Sequence, residues 1–323
     1  MRSLGLFLLA LIISLNSSAS DNKDTTATKV PDSVKHWKIK GNTSLQFNQL
    51  NLTNWSQGGE SNLSGKAAAK VDLNYEKYKF SISNNVNLMF GMIGQEGMKL
   101  QKTDDKIDIS TNFAYKAFKR WSYSTFVNLK TQFANGYKYP DGSTLISTFF
   151  APAYLTLSLG MKYTSDKEFL CILSPASGKF TFVNNRELAN KGAFGVRPAI
   201  IDDSSGVVLR EGKNFKAEFG INVLFRLKKK IAEDITAESK LNLYNNYLDE
   251  VEENRWNIDV DWESNIQFAV NDYISTNLYL HMIYDHNVMI PQYKEIEGEE
   301  VKVGEGPRLQ FKESFGIGLN VSL

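Results

Sequence analysis

Polar and apolar residues alternate along most of this chain, from about residue 36 to its end. In residues 215–226, for example, Phe219, Ile221 and Val223 alternate with Glu218 and Asn222. Because successive side chains of a β-strand point to opposite faces, this two-residue period predicts a strand with one apolar and one polar face. Roughly twelve segments follow the pattern, clearly in 62–75, 78–90, 107–116, 121–133, 215–226, 256–268 and 309–323, and more weakly in 37–50, 149–163, 168–173, 235–244 and 274–284.

The links between these segments alternate in length. Short links are expected at 76–77, 118–120, 164–167, 228–234 and 271–272, and long ones at 51–61, 91–105, 134–147, 174–213, 246–254 and 286–307. A membrane-spanning barrel has short turns on one side and long loops on the other. Many segments also exceed the about five or six residues of an ordinary strand. The pattern predicts an all-β fold, a closed antiparallel transmembrane β-barrel of about twelve strands with periplasmic N- and C-termini.

The N-terminal residues have the features of a secretory signal peptide. Arg2 precedes an apolar stretch at 4–15, and small residues suited to cleavage follow at 17–19. The next residues are polar, which is typical of a flexible segment. We therefore expect a signal peptide over 1–19, a flexible lead over 20–36 and one barrel domain over 37–323, located in the cell outer membrane.

Charge and cysteine content exclude several classes of function. The chain has 37 Lys and Arg against 36 Asp and Glu, a net charge of +1, so it lacks the basic footprint of a nucleic-acid-binding protein. A single cysteine, Cys171, excludes a disulfide within the chain and a zinc site built from cysteines. We expect outer-membrane lipid and the barrel-assembly machinery as partners, and no cofactor.

The polar faces of the strands are rich in charge and would line the lumen. Asp259, Asp261 and Glu263 recur on one face at a spacing of about 7 Å. Lysines of neighbouring strands could neutralise them as a structural charge ladder, which is the favoured interpretation. Selection of cations is the alternative. The predicted lumen-lining residues are Lys66, Lys70, Lys216, Glu218, Arg226, Lys240, Asp259, Asp261, Glu263, His281 and Lys312.

The first long link contains residues suited to binding a ligand. Asn54, Trp55, Gly58, Gly59 and Glu60 combine an aromatic face with glycines that let a partner approach the backbone. A glycine turn with its tryptophan at the membrane interface is the simpler interpretation, and the one that we favour.

The fourth long link contains a second candidate motif, formed by Ser174, Pro175, Gly178 and Lys179, with Phe194 further on. The motif is not a phosphate-binding loop. That loop needs a glycine five residues before Gly178 and a serine or threonine after Lys179, and this chain has neither.

These loop motifs resemble those of a family of Bacteroidota outer-membrane proteins that is catalogued as a domain of unknown function. The likeness is most specific at 54–60, continues at 173–179 and 192–196, and extends from about residue 37 to 323. The resemblance implies an outer-membrane β-barrel and carries no established activity.

The histidines form no recognisable catalytic or metal-binding motif. A membrane phospholipase on a twelve-stranded barrel needs a nucleophilic serine beside a histidine base. Tyr279 and Ile283 flank His281 on its own strand face instead. No HExxH, CxxC or paired-histidine spacing is present. We predict no catalytic residues and no metal site.

The fourth long link is the main functional candidate, because links longer than about fifteen residues are usually functional or disordered. We expect it to fold over or into the barrel mouth, where Phe180, Phe182 or Phe194 would cover Leu170 and Ile172 on the inner face. The predicted function is to admit or bind a small solute or a partner through the extracellular loops. The alternative is a structural or assembly component of the outer membrane with a closed lumen and no transport activity.

Overall fold

The computed structural model describes residues 36–50, 61–95, 97–139, 142–165, 168–202, 204–271, 273–296 and 299–322. The predicted signal peptide, nearly all of the predicted lead and the motif at 54–60 lie outside these residues. Residues Trp37–Leu323 form one compact unit.

The described residues are almost entirely strands. In chain order these are β1 (Trp37–Leu50), β2 (Asn62–Lys77), β3 (Phe80–Gln95), β4 (Gln101–Phe118), β5 (Trp121–Thr131), β6 (Gly136–Tyr137), β7 (Leu145–Ser147), β8 (Ala153–Ser165), β9 (Phe169–Phe182), β10 (Ile200–Ile201), β11 (Val208–Arg210), β12 (Phe215–Ala232), β13 (Ile235–Asn246), β14 (Asp259–Ala269), β15 (Ile274–Tyr284), β16 (Met289–Ile296), β17 (Glu299–Pro307) and β18 (Gln310–Ser322).

Twelve of the described strands close into a barrel. Their order around it is β1-β18-β15-β14-β13-β12-β9-β8-β5-β4-β3-β2, and β2 pairs with β1 again. Neighbouring barrel strands run antiparallel, with Trp37 opposite Tyr75 at one junction and Phe47 opposite Ile317 at the closing one. This arrangement confirms the predicted closed antiparallel barrel of about twelve strands.

The short and long links lie at opposite ends of the barrel, but several strands are longer than the sequence pattern predicts. The predicted turn at 76–77 is wrong, because β2 continues to Lys77 and the turn is formed by Tyr78 and Lys79. The predicted long link at 91–105 is also wrong, because only residues 96–100 separate β3 from β4. Backbone pairing continues past the last residues that alternate cleanly, so the pattern underestimates the strands.

The described parts of the long links contain local structure of their own. Short hairpins are formed by β6 with β7, β10 with β11, and β16 with β17. Helix α1 (Arg186–Asn190) begins where the Asn185 side chain accepts a hydrogen bond of 3.0 Å from the Leu188 backbone. Single 3₁₀ turns occur at Ala193–Gly195 and Glu252–Trp256. Among the described residues, no helix has the length and apolar character needed to cross a membrane.

The outer face of the barrel is apolar and has aromatic side chains near the short turns. Trp37 packs on Tyr75, and Trp121 packs on Tyr163, each with ring centroids 5.2 Å apart. Leu159, between the two ends of β8, is 57% exposed. Exposed apolar residues bordered by aromatic rings are the features that a barrel presents to lipid.

Strand β9 contains a bulge that reverses its alternation. Ser174 and Ser177 lie opposite Asn222 and Gly220, so three steps along β9 match two along β12. A similar offset occurs against β8, where Ala176 and Leu173 lie opposite Leu159 and Met161, so Pro175 is the residue that is unpaired on both sides. Proline has no backbone N–H to donate, so a bulge is one of the few places where a sheet accepts it.

The second motif lies in the barrel wall, and its predicted position in a loop is wrong. Ser174, Pro175, Gly178 and Lys179 lie inside barrel strand β9 and not in a loop. Pro175 and Gly178 are typical loop residues. For that reason the sequence pattern predicts a strand only over 168–173, whereas β9 continues to Phe182. The fourth long link therefore begins only after Phe182.

An arginine at the middle of the outer face should destabilise the barrel. Val223 lies halfway along β12 with its side chain on the apolar face, opposite Leu173 and Leu243. Val223→Arg is expected to cost about 2–4 kcal/mol, the cost of arginine at the midplane of a bilayer. Urea unfolding in lipid vesicles measures this cost, with Val223→Leu as the control. An arginine that costs less than about 1 kcal/mol would place Val223 outside the membrane core.

The bulge in β9 should require a residue without a side chain at Gly160, which lies opposite it in β8. A Cβ at Gly160 would lie 2.0 Å from the Leu173 carbonyl oxygen, closer than any real contact. Gly160→Ala should therefore destabilise the barrel by about 1–3 kcal/mol or prevent its folding, as overpacking does. Gly65→Ala is the matched control, because the nearest atom to its Cβ is 3.6 Å away. Equal effects of the two substitutions on unfolding would contradict the prediction.

Candidate functional site

Oppositely charged side chains meet across the lumen at the middle of the barrel. Lys106 of β4 lies 2.5 Å from Glu263 of β14. In the ring of twelve strands β4 and β14 are six places apart, which makes them directly opposite. A pair of side chains can join opposite walls only if the lumen is narrow at this level. The lumen is therefore bridged by side chains here.

Two more ion pairs lie at the same level of the lumen. Lys130 of β5 lies 2.5 Å from Asp261, and Lys240 of β13 lies 3.3 Å from Asp108 of β4. We call the six residues Lys106, Asp108, Lys130, Lys240, Asp261 and Glu263 the crossing network. Its three lysines and three carboxylates balance, so it places no net charge in the lumen.

Further side chains complete the hydrogen bonding of the crossing network. The Asn128 side-chain amide donates to Asp108 at 2.6 Å, and the Tyr279 hydroxyl donates to Glu263 at 3.1 Å. Nε2 of His281 lies 2.9 Å from Asp261. The network is thus held by groups from several strands.

Three of these residues have the donor atoms of a metal site. Ligand atoms of Asp261, Glu263 and His281 lie within 4.8 Å of one another. Lys130 and Lys106 already neutralise the two carboxylates at 2.5 Å. A metal ion would have to displace both ammonium groups, so we assign no metal to this cluster.

A second group of charges lies nearer the short turns. Glu238 of β13 is 2.7 Å from Lys70 of β2 and 2.7 Å from Arg226 of β12. Strands β2 and β13 are five places apart around the ring, so this group also reaches across the lumen.

A third group lies at the long-link end of the lumen. Lys179 is 2.9 Å from Asp259, 3.4 Å from Asp285 and 3.8 Å from Glu218. Lys216 lies 3.0 Å from Glu218 on the same strand. The bulge directs Lys179 into this group, because regular alternation from Ile172 onward would point it outward.

The remaining predicted lumen residues are Lys312 and Lys66. Lys312 of β18 reaches Asp104 of β4 at 2.7 Å and donates to the Thr103 carbonyl oxygen at 2.8 Å, and Lys66 donates to the Ser314 hydroxyl at 3.1 Å. Ten of the eleven residues that the sequence assigned to the lumen thus lie in or next to separate ion-pair groups, and Lys66 contacts a serine hydroxyl.

Between the crossing network and the long links lies a cavity of about 480 Å³. The network residues other than Asp108 line it on one side, and Phe194 and Val288 of the long links line it on the other. Its walls also carry Tyr154 and Tyr244. The volume falls within the range of about 300–1,000 Å³ that is usual for small-molecule sites.

The apolar residues of the inner face are covered differently from the prediction. Ile172 is buried against Phe126 and Leu224, with Leu170 packed beside them. Phe180 and Phe182 lie on the outer face, each against Phe215, with ring centroids 6.1 and 5.2 Å away. The expectation that they cover Leu170 and Ile172 is wrong, because the bulge turns them outward.

Phe194 does reach the barrel mouth. It packs against a small core that includes Val183, Leu188 and Val196 and that holds the fourth long link in a defined shape. It also lines the cavity. Of the predicted motif residues, Phe194 and Lys179 therefore share one site, whereas Ser174 is buried in the wall.

The long links are also tied to each other at the mouth. Asp249 accepts hydrogen bonds from the Asn287 side chain at 2.8 Å and from the Val251 backbone at 2.9 Å. Burial alone would raise the pKa of Asp249, but these hydrogen bonds outweigh it and hold the pKa below its ordinary value. The carboxylate therefore stays ionised and joins two links near neutral pH.

The sequence-based list of lumen residues missed several members of these groups, namely Lys106, Asp108, Lys130 and Glu238. Each lies on the polar face that the two-residue period defines, so the signal that could have found them was present.

Comparisons with known proteins leave the function open. A family model described as a protein of unknown function (DUF3078) matches residues 47–137. The match supports the resemblance to such a family over that part of the chain, which includes the motif at 54–60. Comparison with curated protein sequences finds no match.

Comparison with solved structures finds distant matches among outer-membrane proteins. An outer-membrane channel from Pseudomonas putida F1 is 11% identical with a TM-score of 0.36, covering 94% of this chain and 98% of that one. The translocator domain of the autotransporter NalP from Neisseria meningitidis is 8% identical with a TM-score of 0.32, covering 99% and 96%. The NanC porin is 11% identical with a TM-score of 0.33, covering 87% and 98%. At such scores the likeness carries no argument about this chain.

The contributions of Lys106 and Glu263 to the stability of the barrel should depend on each other. Lys106→Gln or Glu263→Gln alone leaves a partly buried charge without its partner and should cost about 1–3 kcal/mol. The double variant should cost less than the sum, with a coupling energy of about 0.5 kcal/mol or more. Denaturant unfolding in lipid vesicles measures the cycle.

The control cycle uses Lys191 and Glu187 of α1, which lie 2.6 Å apart but are both more than half exposed. Their coupling should be about 0.3–0.5 kcal/mol, as for exposed helix pairs. Additive effects at Lys106 and Glu263 would show that the two walls do not interact.

Proposed function

We propose that this protein is an outer-membrane barrel that takes a small solute into its lumen from the long-link side. The cavity is the observation that carries the proposal. It lies inside the lumen and is bounded by the crossing network below and by Phe194 above. A barrel with a purely structural role has no need of a cavity of this kind.

The crossing network acts in this proposal as the barrier to passage. Its pairs join opposite walls, as Lys106 and Glu263 do, and the Lys70–Glu238 pair closes the lumen again nearer the short turns. A solute in the cavity passes to the other side only if these pairs separate. Because each charge has a partner, separation costs energy and the closed arrangement is the resting one.

The outer surface supports a location in the outer membrane. The barrel has an exposed apolar face with aromatic side chains near the short turns, as lipid requires. We place the short turns and both chain termini in the periplasm and the long links outside the cell, with assembly by the barrel-assembly machinery. The predicted signal peptide agrees with this route.

A structural role with a closed lumen is the second candidate, and the crossing network favours it. Ion pairs that bridge opposite walls also brace a barrel against collapse. The two candidates differ in whether removal of the network opens a path through the protein.

Conductance in planar bilayers distinguishes them. The wild-type protein should conduct weakly, because side chains bridge its lumen. Replacement of Lys70, Lys106, Lys130, Glu238, Asp261 and Glu263 together by alanine removes three positive and three negative charges, along with the bulk of the side chains, at both levels where ion pairs close the lumen. This variant should conduct severalfold more than the wild type.

The matched control is Lys191→Ala with Glu187→Ala, which removes an ion pair outside the lumen and should leave conductance unchanged. A correctly folded sextuple variant with wild-type conductance would reject the transport proposal and favour the structural role.

A further inference from the structure

The charges around the cavity are paired with one another. Lys179 faces Asp259 and Asp285, Lys312 faces Asp104, and Lys130 faces Asp261, each within 3.4 Å. A ligand with a net charge would have to separate one of these pairs to gain a partner. The pairing therefore favours an uncharged ligand over an anion or a cation.

The cavity also has the polar groups that an uncharged ligand needs. Side-chain amides of Asn128, Gln132 and Asn242 line it and offer both donors and acceptors. The side-chain oxygens of Asn222 and Tyr244 are buried and, among the described residues, have no hydrogen-bond partner. Both belong to residues that line the cavity, and both can accept a hydrogen bond from a ligand hydroxyl.

Aromatic side chains provide flat apolar surfaces in the same space. Phe126, Tyr154, Tyr244 and Tyr279 reach it from the barrel wall, and Phe194 reaches it from the fourth long link. A sugar ring has apolar C–H faces and a rim of hydroxyl groups. It matches a site in which aromatic faces alternate with amides and paired charges.

From these observations we infer that the cavity binds a neutral, hydroxyl-rich solute of the size of a mono- or disaccharide. The inference rests on the proposed function, because it assigns a chemical class to the solute of that same cavity. A volume of about 480 Å³ accommodates one or two sugar rings and excludes a long polymer.

Titration calorimetry on the purified full-length protein tests the inference. The detergent must lack a sugar head group, because such a head group would compete for the site. The probes are maltose, gluconate and glucosamine, which are all rich in hydroxyl groups but are neutral, anionic and cationic in turn. Maltose should bind, and the two charged probes should bind more weakly.

Two substitutions locate the site. Tyr244→Phe removes a single hydroxyl and should weaken maltose binding about three- to tenfold, the effect of one hydrogen bond. The matched control is Tyr123→Phe on the outer face of β5, where the side chain is 62% exposed, and it should leave binding unchanged. Phe194→Ala should weaken binding by removing an aromatic face, whereas Phe149→Ala, at an exposed position, should not.

Three results would overturn the inference. These are no binding of maltose, binding that Tyr244→Phe leaves unchanged, or tighter binding of gluconate or glucosamine. If one of them occurs while the sextuple alanine variant still conducts more than the wild type, the inferred sugar site is wrong and the proposed transport stands. Without the rise in conductance, transport fails as well.

Discussion

The pairing of β1 with β18 is the interaction on which the rest of the structure depends. It joins the first and last barrel strands over Asn42 to Phe47 and Ile317 to Ser322, so the sheet has no free edge. A strand edge in lipid would leave backbone N–H and C=O groups without partners, at a cost of several kcal/mol each. Closure also creates the lumen, because only a closed sheet has an inside in which charged side chains can meet.

Inside that closed sheet, the charged residues interact over distances that neighbouring strands cannot provide. Lys106 and Glu263 are 157 residues apart in the chain and belong to opposite walls. Such contacts draw the walls together and divide the lumen, leaving a cavity toward the long links. The same side chains thus provide stability and define the floor of the candidate binding site.

Much of this architecture could be predicted from the sequence, since a two-residue period reports directly which face each side chain occupies. Asp259, Asp261 and Glu263 were assigned to the lumen on that basis, and they lie there. The period does not report which residues meet across the lumen, because that depends on the width of the barrel. The cavity could not be predicted for the same reason.

The predictions that failed along β9 share one physical cause. The two-residue period assumes one residue per step, and the bulge at Pro175 interrupts it. The predicted strand therefore ends at 173, and Lys179, Phe180 and Phe182 were assigned to the long link that follows. Pro175 was the available signal, because a proline inside a strand indicates an edge or a bulge.

The bulge also affects how this chain tolerates changes in length. Strand β9 carries one residue more than its neighbours require, so the loss of one residue there would make the strand regular and leave Ile172 and Lys179 on the inside. Strand β8 pairs with β5 without any such irregularity. The loss of one residue in β8 would exchange the lipid-facing and the lumen-facing side chains on one side of the deletion. Insertions and deletions that persist in relatives of this protein should therefore concentrate in the long links and at bulges of the wall such as this one.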